Sequence, residues 1–254
     1  MDPRIRSRRI DVMRARGRRR LRVLLMLLTV ISLVTGGYFL SKSSLFDVDE
    51  VTVNGALGAM EEEVLNAANI AKGKPLLEVN TSVSTKRVEQ IPWVKEARIS
   101  RSLGGTVTIS ISTRDAVAAF KHERAWVIVD IDGRVLDKVP VLPYNILPIE
   151  HDIGDVPIGE WVSEQVIPSI SVAATISPEL RGDISSITGD KQLELLLFGG
   201  GRVLFGDTTD VEGKALAAAT ILSQVDQNSV LHIDVRAPLT PVLCRDPSCS
   251  YPST

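Results

Sequence analysis

The stretch TVTISIS, residues 106–112, alternates apolar and small polar side chains without a break. Val107, Ile109 and Ile111 fall on one side of an extended chain, and the threonines and serines fall on the other. A period of two is typical of a strand that buries one face and exposes the other to solvent. The stretch therefore predicts a half-buried antiparallel strand that pairs with other strands in a sheet.

The residues upstream predict the rest of a small domain. In chain order they indicate a strand at 48–53 ending at Asn54-Gly55, a helix at 60–69, a helix at 80–90 and a strand at 93–101. Acidic residues in the first turn favour the first helix, and Asn80-Thr81 can cap the second, which Pro92 ends. The strand at 93–101 and the TVTISIS stretch are expected to form a hairpin across Gly104-Gly105.

From about Val117 onward the pattern is mostly that of strands. The segments are VAAF, WVIVD, GRVLD, LELLLF, RVLFG and VLHIDVR, with a hairpin expected at Gly199-Gly200-Gly201. Helices are predicted for residues 164–176 and for residues 211–225, which are rich in alanine and leucine. The fold class is therefore α+β, with a second, mostly antiparallel β domain that contains two helices.

The N-terminal region predicts a membrane anchor. Ten arginines crowd the first 22 residues, whereas the rest of the chain has 19 Lys and Arg against 29 Asp and Glu, a formal charge of −10. Residues 23–41 contain no charge, and as a helix they would cover about 28 Å, enough for a hydrocarbon core. A buried core helix and a cleaved signal peptide are the alternatives. The run lacks a polar stripe, and its nearest small-x-small triplet, Ser41-Lys42-Ser43, contains a lysine.

The basic flank predicts the orientation of this anchor. Arginines beside a spanning helix stay in the cytoplasm, so the residues after about 42 are expected to be extracytoplasmic. The arginine tail has no aromatic residue and no folded module, so contact with anionic lipid is expected rather than binding of nucleic acid.

No enzymatic or cofactor site is expected from the remaining motifs. Asp130-x-Asp132-Gly133 lacks the other ligands of a calcium loop and is typical of a hairpin turn. His122, His151 and His232 are separated in the sequence, and no nucleophile elbow or phosphate loop is present. For Cys244 and Cys249 a disulfide and free thiols both stay open, while a metal site would need more ligands.

Several of these stretches resemble the FtsQ (DivIB) family of bacterial cell-division proteins. The resemblance rests on residues 46–55, Gly73-Lys74-Pro75-Leu76, the Pro-Trp-Val-x-x-Ala string of residues 92–97 and residues 127–136. The chain departs from the family at 103–105 and 113–116, where relatives often have Trp-Pro and Glu-Arg-x-Pro. The resemblance implies a POTRA domain (β-α-α-β-β) at 42–114 and a β domain at 115–243. A basic tail at 1–22, an anchor at 23–41 and a C-terminal tail at 244–254 complete the organisation.

The resemblance also implies a function and a contact site. It implies a non-catalytic divisome scaffold in the inner membrane at the septum, which links early and late division proteins and helps to control septal peptidoglycan synthesis. The expected partners are an FtsB/FtsL-type coiled-coil pair and other divisome membrane proteins. The pair would add a strand to the last strand of the β domain, at residues His232, Ile233, Asp234, Val235, Arg236, Ala237 and Leu239. A membrane-anchored sensor or anti-sigma-like regulator is the alternative, although the tail shows no apolar periodicity.

Overall fold

The computed structural model describes residues 22–38, 47–102, 104–246 and 248–249. Residues 22–38 form helix α1. Among the described residues there is no helix that combines the length and the apolar character needed to cross a bilayer. The predicted tail up to residue 21, residues 39–41 of the predicted anchor and the last five residues lie outside the described ranges.

The chain divides into two compact units. The first combines residues up to Arg87 with Arg98–Ser110, and the second combines Val88–Ala97 with residues from Ile111 onward. The predicted domain boundaries, including the one at 114/115, stay predictions.

The small three-stranded sheet has the predicted β-α-α-β-β order. Its elements are β1 (Glu50–Asn54), α2 (Ala59–Ala68), α3 (Thr81–Glu89), β2 (Val94–Arg101) and β3 (Thr106–Thr113), with a 3-10 turn at Leu76–Glu78. The strand order is β1-β3-β2, and β1 runs parallel to β3 with Val51 opposite Val107. Helix α2 stops at Asn69, whose φ of 51° leaves the helical region.

The alternation in TVTISIS accounts for the core of the first unit. Val107 and Ile109 are fully buried, and Val107 packs in one cluster with Val48, Leu76 and Val79. The buried hydroxyl of Ser84 donates to the carbonyl oxygen of Ala68 at 2.8 Å. This bond links α3 to the end of α2, so the polar atom is satisfied inside the unit.

A nine-stranded mixed sheet dominates the second unit. Its strands are β4 (Ala118–His122), β5 (Ala125–Val129), β6 (Val135–Val139), β7 (Leu147–Glu150), β8 (Ile184–Thr188), β9 (Leu193–Leu197), β10 (Arg202–Gly206), β11 (His232–Asp234) and β12 (Val242–Cys244). The spatial order is β12-β11-β10-β9-β8-β7-β4-β5-β6. The pairs β4–β7, β7–β8 and β10–β11 are parallel, and the other pairs are antiparallel.

Helices α4 (Ile167–Thr175), α5 (Pro178–Arg181) and α6 (Val211–Leu222) contribute to the main core of this unit. Phe120, Leu195 and Ile233 of the sheet pack in one cluster with Ile170 of α4 and Ala218 of α6. Side chains that alternate with this buried row, such as Glu194 and Arg202, are more exposed. Around β9 and β10 the sheet therefore has one face in the core and one face that is more polar, whereas Ala119 and Ile128 belong to a second, smaller apolar cluster.

The β domain differs from the predicted one in three respects. The short helix α5 was not expected, and neither were strands β7, β8 and β12. The sheet is mostly antiparallel, as predicted, but it also contains three parallel pairs, because long connections return the chain in the same direction. The predicted strand at residues 230–236 is limited to His232–Asp234.

Candidate functional site

Strand β12 forms one edge of the nine-stranded sheet. It pairs with β11 on one side, with Asp234 opposite Val242 and His232 opposite Cys244. Within the described residues no strand lies on its other side. An edge strand presents unpaired N–H and C=O groups, which can accept a strand from another chain. β12 therefore has the geometry needed for strand addition.

Strand β11, where the partner contact was predicted, is an interior strand. It is parallel to β10 on one side and antiparallel to β12 on the other, so both of its backbone edges are already paired. Ile233 and Val235 are fully buried, and His232 is also buried. Residues 232–234 therefore do not form an open edge in this fold, because the chain returns after Pro241 and pairs with them as β12. The partner contact predicted at these residues stays a prediction.

The other residues of the predicted contact remain close to β12 in the sequence and include an ion pair. Arg236 donates from Nη2 to Oδ2 of Asp234 at 2.7 Å and from Nε to Oδ1 at 3.0 Å. These bonds lower the pKa of Asp234 and raise the pKa of Arg236. Ala237 is exposed, and Leu239 is 96% exposed. Asp234 and Arg236 therefore form a charged ion pair next to the edge strand β12.

A disulfide lies at the end of β12. Cys244, the last residue of the strand, is bonded to Cys249, and its side chain is buried. The carbonyl oxygen of Cys244 accepts the N–H of Leu231 at 3.0 Å, and the N–H of Cys249 donates to the carbonyl of Asp246 at 3.0 Å. The cross-link therefore closes a short loop directly after the edge strand.

The opposite edge of the sheet, β6, is partly covered by the chain itself. The N–H of Val135 donates to the carbonyl of Glu160, and the N–H of Gly159 donates to the carbonyl of Val135, both at 2.8 Å. Further along the strand, Lys138 forms a 2.6 Å ion pair with Asp155. Such contacts block strand addition at an edge. Of the two edges, β12 is the more open.

The Asp130-to-Gly133 motif forms a turn that is held by Arg114. The carboxylate of Asp130 accepts the N–H groups of Asp132 and Arg134, and Gly133 has a φ of 80°. The guanidinium of Arg114 contacts Asp130 and also lies 3.1 Å from Asp132. The hairpin turn predicted from the sequence is therefore present between β5 and β6, and the two carboxylates share one cation.

The three histidines do not form a cluster. His122 ends β4, and His151 lies 3.1 Å from the carboxylate of Asp190. His232 is in β11. Among the described residues no group of three or more His, Cys, Asp or Glu side chains is placed to hold a metal ion.

Comparison with known proteins identifies the chain's relatives. Residues 46–114 match the family model described as POTRA domain, FtsQ-type. Cell division protein FtsQ of Corynebacterium glutamicum is 22% identical over 71% of this chain and 80% of its own length. FtsQ of Streptomyces venezuelae is 26% identical over 87% of this chain and 83% of its own length. These matches support the FtsQ (DivIB) family as the family of this chain.

FtsQ proteins are a non-enzymatic family of division proteins, and these relatives support a division-related role for the chain. FtsQ of Caulobacter vibrioides matches over 56% of this chain but over only 44% of its own length, at 25% identity. The solved structure of the major extracytoplasmic domain of the trans isomer of DivIB from Geobacillus stearothermophilus also matches. It covers 45% of this chain and 98% of that chain, with 13% identity and a TM-score of 0.30.

Proposed function

We propose that this chain is a membrane-anchored, non-catalytic divisome scaffold that captures an FtsB/FtsL-type coiled-coil pair at the edge strand β12. Through this contact it helps to control septal peptidoglycan synthesis. The observation that carries the proposal is that β12 ends the nine-stranded sheet while the opposite edge, β6, is partly covered. Strand addition needs an unpaired backbone edge, and β12 offers one.

The backbone of β12 favours addition at Leu243. The carbonyl of Cys244 accepts a bond from Leu231, on the side of β11. Backbone groups of successive residues in a strand point to opposite sides, so the N–H and C=O of Leu243 point outward. The side chain of Val242 is 58% exposed, which adds an apolar contact for the incoming strand.

Most of the contact residues predicted from the sequence do not bind the pair through their backbone in this proposal. Ile233 and Val235 are core residues that hold β11, and β11 in turn holds β12. Asp234, Arg236, Ala237 and Leu239 remain candidates for side-chain contacts with the pair, because none of them is fully buried. The contact therefore shifts from β11 to the next strand along the chain.

The anchor and the tail complete the proposed topology. Residues 23–41 would span the inner membrane at the division septum, and the ten arginines before them would keep the N-terminus in the cytoplasm and contact anionic lipid. The acidic remainder would then lie outside the membrane, where it is also accessible to other divisome membrane proteins. Both sheet-containing units would be held close to the site of septal synthesis.

Amide hydrogen exchange on the unmodified chain tests the proposed contact. The full chain is placed in lipid nanodiscs, and exchange is followed with and without a purified FtsB/FtsL pair. We expect the amide of Leu243 to exchange about tenfold more slowly with the pair, while residues 136–139 of β6 stay unchanged. Binding of the pair without slower exchange in β12 would overturn the proposed site.

A proline variant provides the matched test. Leu243→Pro removes the outward N–H and should weaken capture of the pair about tenfold. Val141→Pro is the control, since Val141 lies in an exposed loop outside the strands and is 74% exposed. Thermal unfolding shows whether each variant is folded. Uniform membrane fluorescence of a chain tagged on its cytoplasmic tail, in dividing cells, would count against the divisome role itself.

A further inference from the structure

We propose that the disulfide between Cys244 and Cys249 is a redox switch for the edge strand β12, which a dithiol reductant opens and which thereby weakens capture of the partner pair. This inference rests on the proposed function, because it concerns the regulation of the same edge. The chain contains two cysteines in total, and they are five residues apart. Thiol chemistry in this protein is therefore confined to the end of β12.

Strand β12 has few other contacts that keep it in place. It is three residues long and, among the described strands, it pairs with β11 alone. One further backbone bond, from the N–H of Leu231 to the carbonyl of Cys244 at 3.0 Å, fixes the end of the strand, and Leu243 packs against the main core only as a partly buried side chain. Short segments with few buried contacts open locally at low cost. The position of β12 therefore depends on what holds its ends.

The burial of Cys244 indicates what the disulfide does at this edge. Val242 and Cys244 are two residues apart and so lie on the same face of β12, yet Val242 is 58% exposed and Cys244 is 1% exposed. The opposite residues follow the same trend, since His232 beside Cys244 is buried and Asp234 beside Val242 is only partly buried. Cys249 is bonded to the buried sulfur. The disulfide therefore holds the following segment against the last residue pair of this ladder.

The two sulfur atoms differ in how easily a thiol reaches them. Cys244 is buried, whereas Cys249 is only partly buried, and the loop residues Arg245, Asp246 and Ser248 are exposed. An incoming thiolate therefore meets Sγ of Cys249 first. Sγ of Cys244 lies 3.2 Å from the carbonyl oxygen of Asp246, which can accept a hydrogen bond from the S–H group that Cys244 gains on reduction. Accessible disulfides are typically the labile and regulatory ones.

Reduction proceeds by two thiol–disulfide exchanges. A thiolate of the dithiol attacks Sγ of Cys249, so that a mixed disulfide forms, the Cys244–Cys249 bond breaks, and Cys244 leaves as a thiolate that takes up a proton. The second thiolate of the reductant then attacks the reductant's own sulfur in the mixed disulfide and releases Cys249, which is also protonated. The protein disulfide gains two electrons and two protons, and the reductant loses them as it closes to a disulfide.

Opening the loop should loosen the edge that the partner strand needs. The N–H and C=O groups of Leu243 point outward only while β12 stays paired with β11 in this register. Without the cross-link the residues after Cys244 regain conformational freedom, and the end of β12 separates from β11 more often. The oxidised chain is therefore the form that captures the pair, and the reduced chain binds it more weakly.

Hydrogen exchange and capture are measured on the full wild-type chain in lipid nanodiscs, before and after treatment with dithiothreitol. Alkylation and mass spectrometry count the free thiols, which should rise from none to two. We expect dithiothreitol to reduce the bond without denaturant, the amide of Leu231 to exchange about tenfold faster, and capture of a purified FtsB/FtsL pair to weaken about tenfold. The amide of Phe120 in β4 should be unchanged, and reoxidation should restore both values.

A variant without the cross-link is the matched control. Cys244→Ala combined with Cys249→Ala should match the reduced chain in both measurements, and dithiothreitol should not change it. The comparison of oxidised and reduced wild type needs no substitution, so it decides the question even if this variant fails to fold.

Three outcomes would overturn the inference: an equal effect of dithiothreitol on the variant, a bond that resists dithiothreitol until the chain is denatured, or equal capture by the oxidised and the reduced chain. The proposed function would stand in each of these cases. An oxidised chain that does not capture the pair would instead overturn the proposed function itself.

Discussion

The ammonium group of Lys214 donates to the carboxylate of Asp207 at 2.8 Å although the Lys214 side chain is only 3% exposed. The same ammonium donates to the backbone carbonyl of Asp207 at 2.9 Å and lies 5.6 Å from the centroid of the Phe205 ring. Lys214 belongs to α6, whereas Asp207 follows β10 directly. The bond therefore fixes the start of α6 to the end of β10.

We expect Lys214→Ala to lower the free energy of unfolding by about 2 kcal/mol, because two bonds to a buried cation and the packing of its stem are lost. Thermal and chemical unfolding measure the change. Lys191→Ala is the control, since Lys191 is exposed and should give a change near zero. Equal effects of the two substitutions would contradict this role for Lys214.

The same pair predicts a pH dependence. The bond from Lys214 lowers the pKa of Asp207, so its carboxylate stabilises the fold at pH values above the ordinary carboxyl range, near 4. This contribution is lost as the pH falls below that range and the carboxylate takes up a proton. Because Asp207 is largely exposed, solvent screening keeps the effect small. In urea titrations from pH 7 to pH 2 the wild type should lose more stability than Lys214→Ala, and parallel curves would refute the linkage.

Substitution of Gly133 tests whether the turn before β6 requires a residue without a Cβ atom. It has a φ of 80°, and an added Cβ would lie 2.7 Å from Cδ1 of Ile167 and 2.9 Å from Cγ2 of Val162. Gly133→Ala should therefore cost about 3 kcal/mol from backbone strain and crowding together. Gly154→Ala isolates the strain, because Gly154 has a φ of 65° and nothing within 4 Å of the added atom. Its cost should be about 1 kcal/mol, and similar unfolding free energies for the two variants would rule out the crowding.

Substitution of Arg114 tests the contribution of its ion pair with Asp130, which stabilises the same turn. The side chain of Asp130 is only 3% exposed, and Arg114 also donates from Nε to the carbonyl of Val94 at 3.3 Å. Arg114→Met should lower the free energy of unfolding by about 3 kcal/mol, because it leaves a buried carboxylate without its cation. Asp132→Asn, which changes the 56% exposed partner, should cost less than about 1 kcal/mol. The opposite order in denaturant titrations would show that Asp130 does not depend on Arg114.

The disulfide after β12 predicts a local effect on the candidate edge. Cys249→Ser opens a short loop and frees the unfolded chain, which should lower the free energy of unfolding by about 2 kcal/mol. The amide of Leu231, which donates to the carbonyl of Cys244, should then exchange faster, and capture of the FtsB/FtsL pair should weaken. Ser248→Ala, within the same loop, is the control. Unchanged exchange at Leu231 in Cys249→Ser would show that the strand does not need the cross-link.

Local patterns in the sequence were sufficient for much of the fold. The period of two in TVTISIS placed Val107 and Ile109 in a core, and the turn chemistry of Asp132-Gly133 placed a hairpin between β5 and β6. The helices at α2, α3 and α6 were predicted within a few residues, because acidic first turns, caps and alanine content act locally. The FtsQ family was also recognisable from residues 46–55 and 92–97.

Tertiary structure alone decided where the open edge lies. β12 has only three residues after Pro241, too few to show a period, and it is a strand because β11 pairs with it. That pairing buries the edge of β11, where the sequence had placed the partner. Periodicity and turn chemistry depend on near neighbours in sequence, whereas the pairing of distant strands does not.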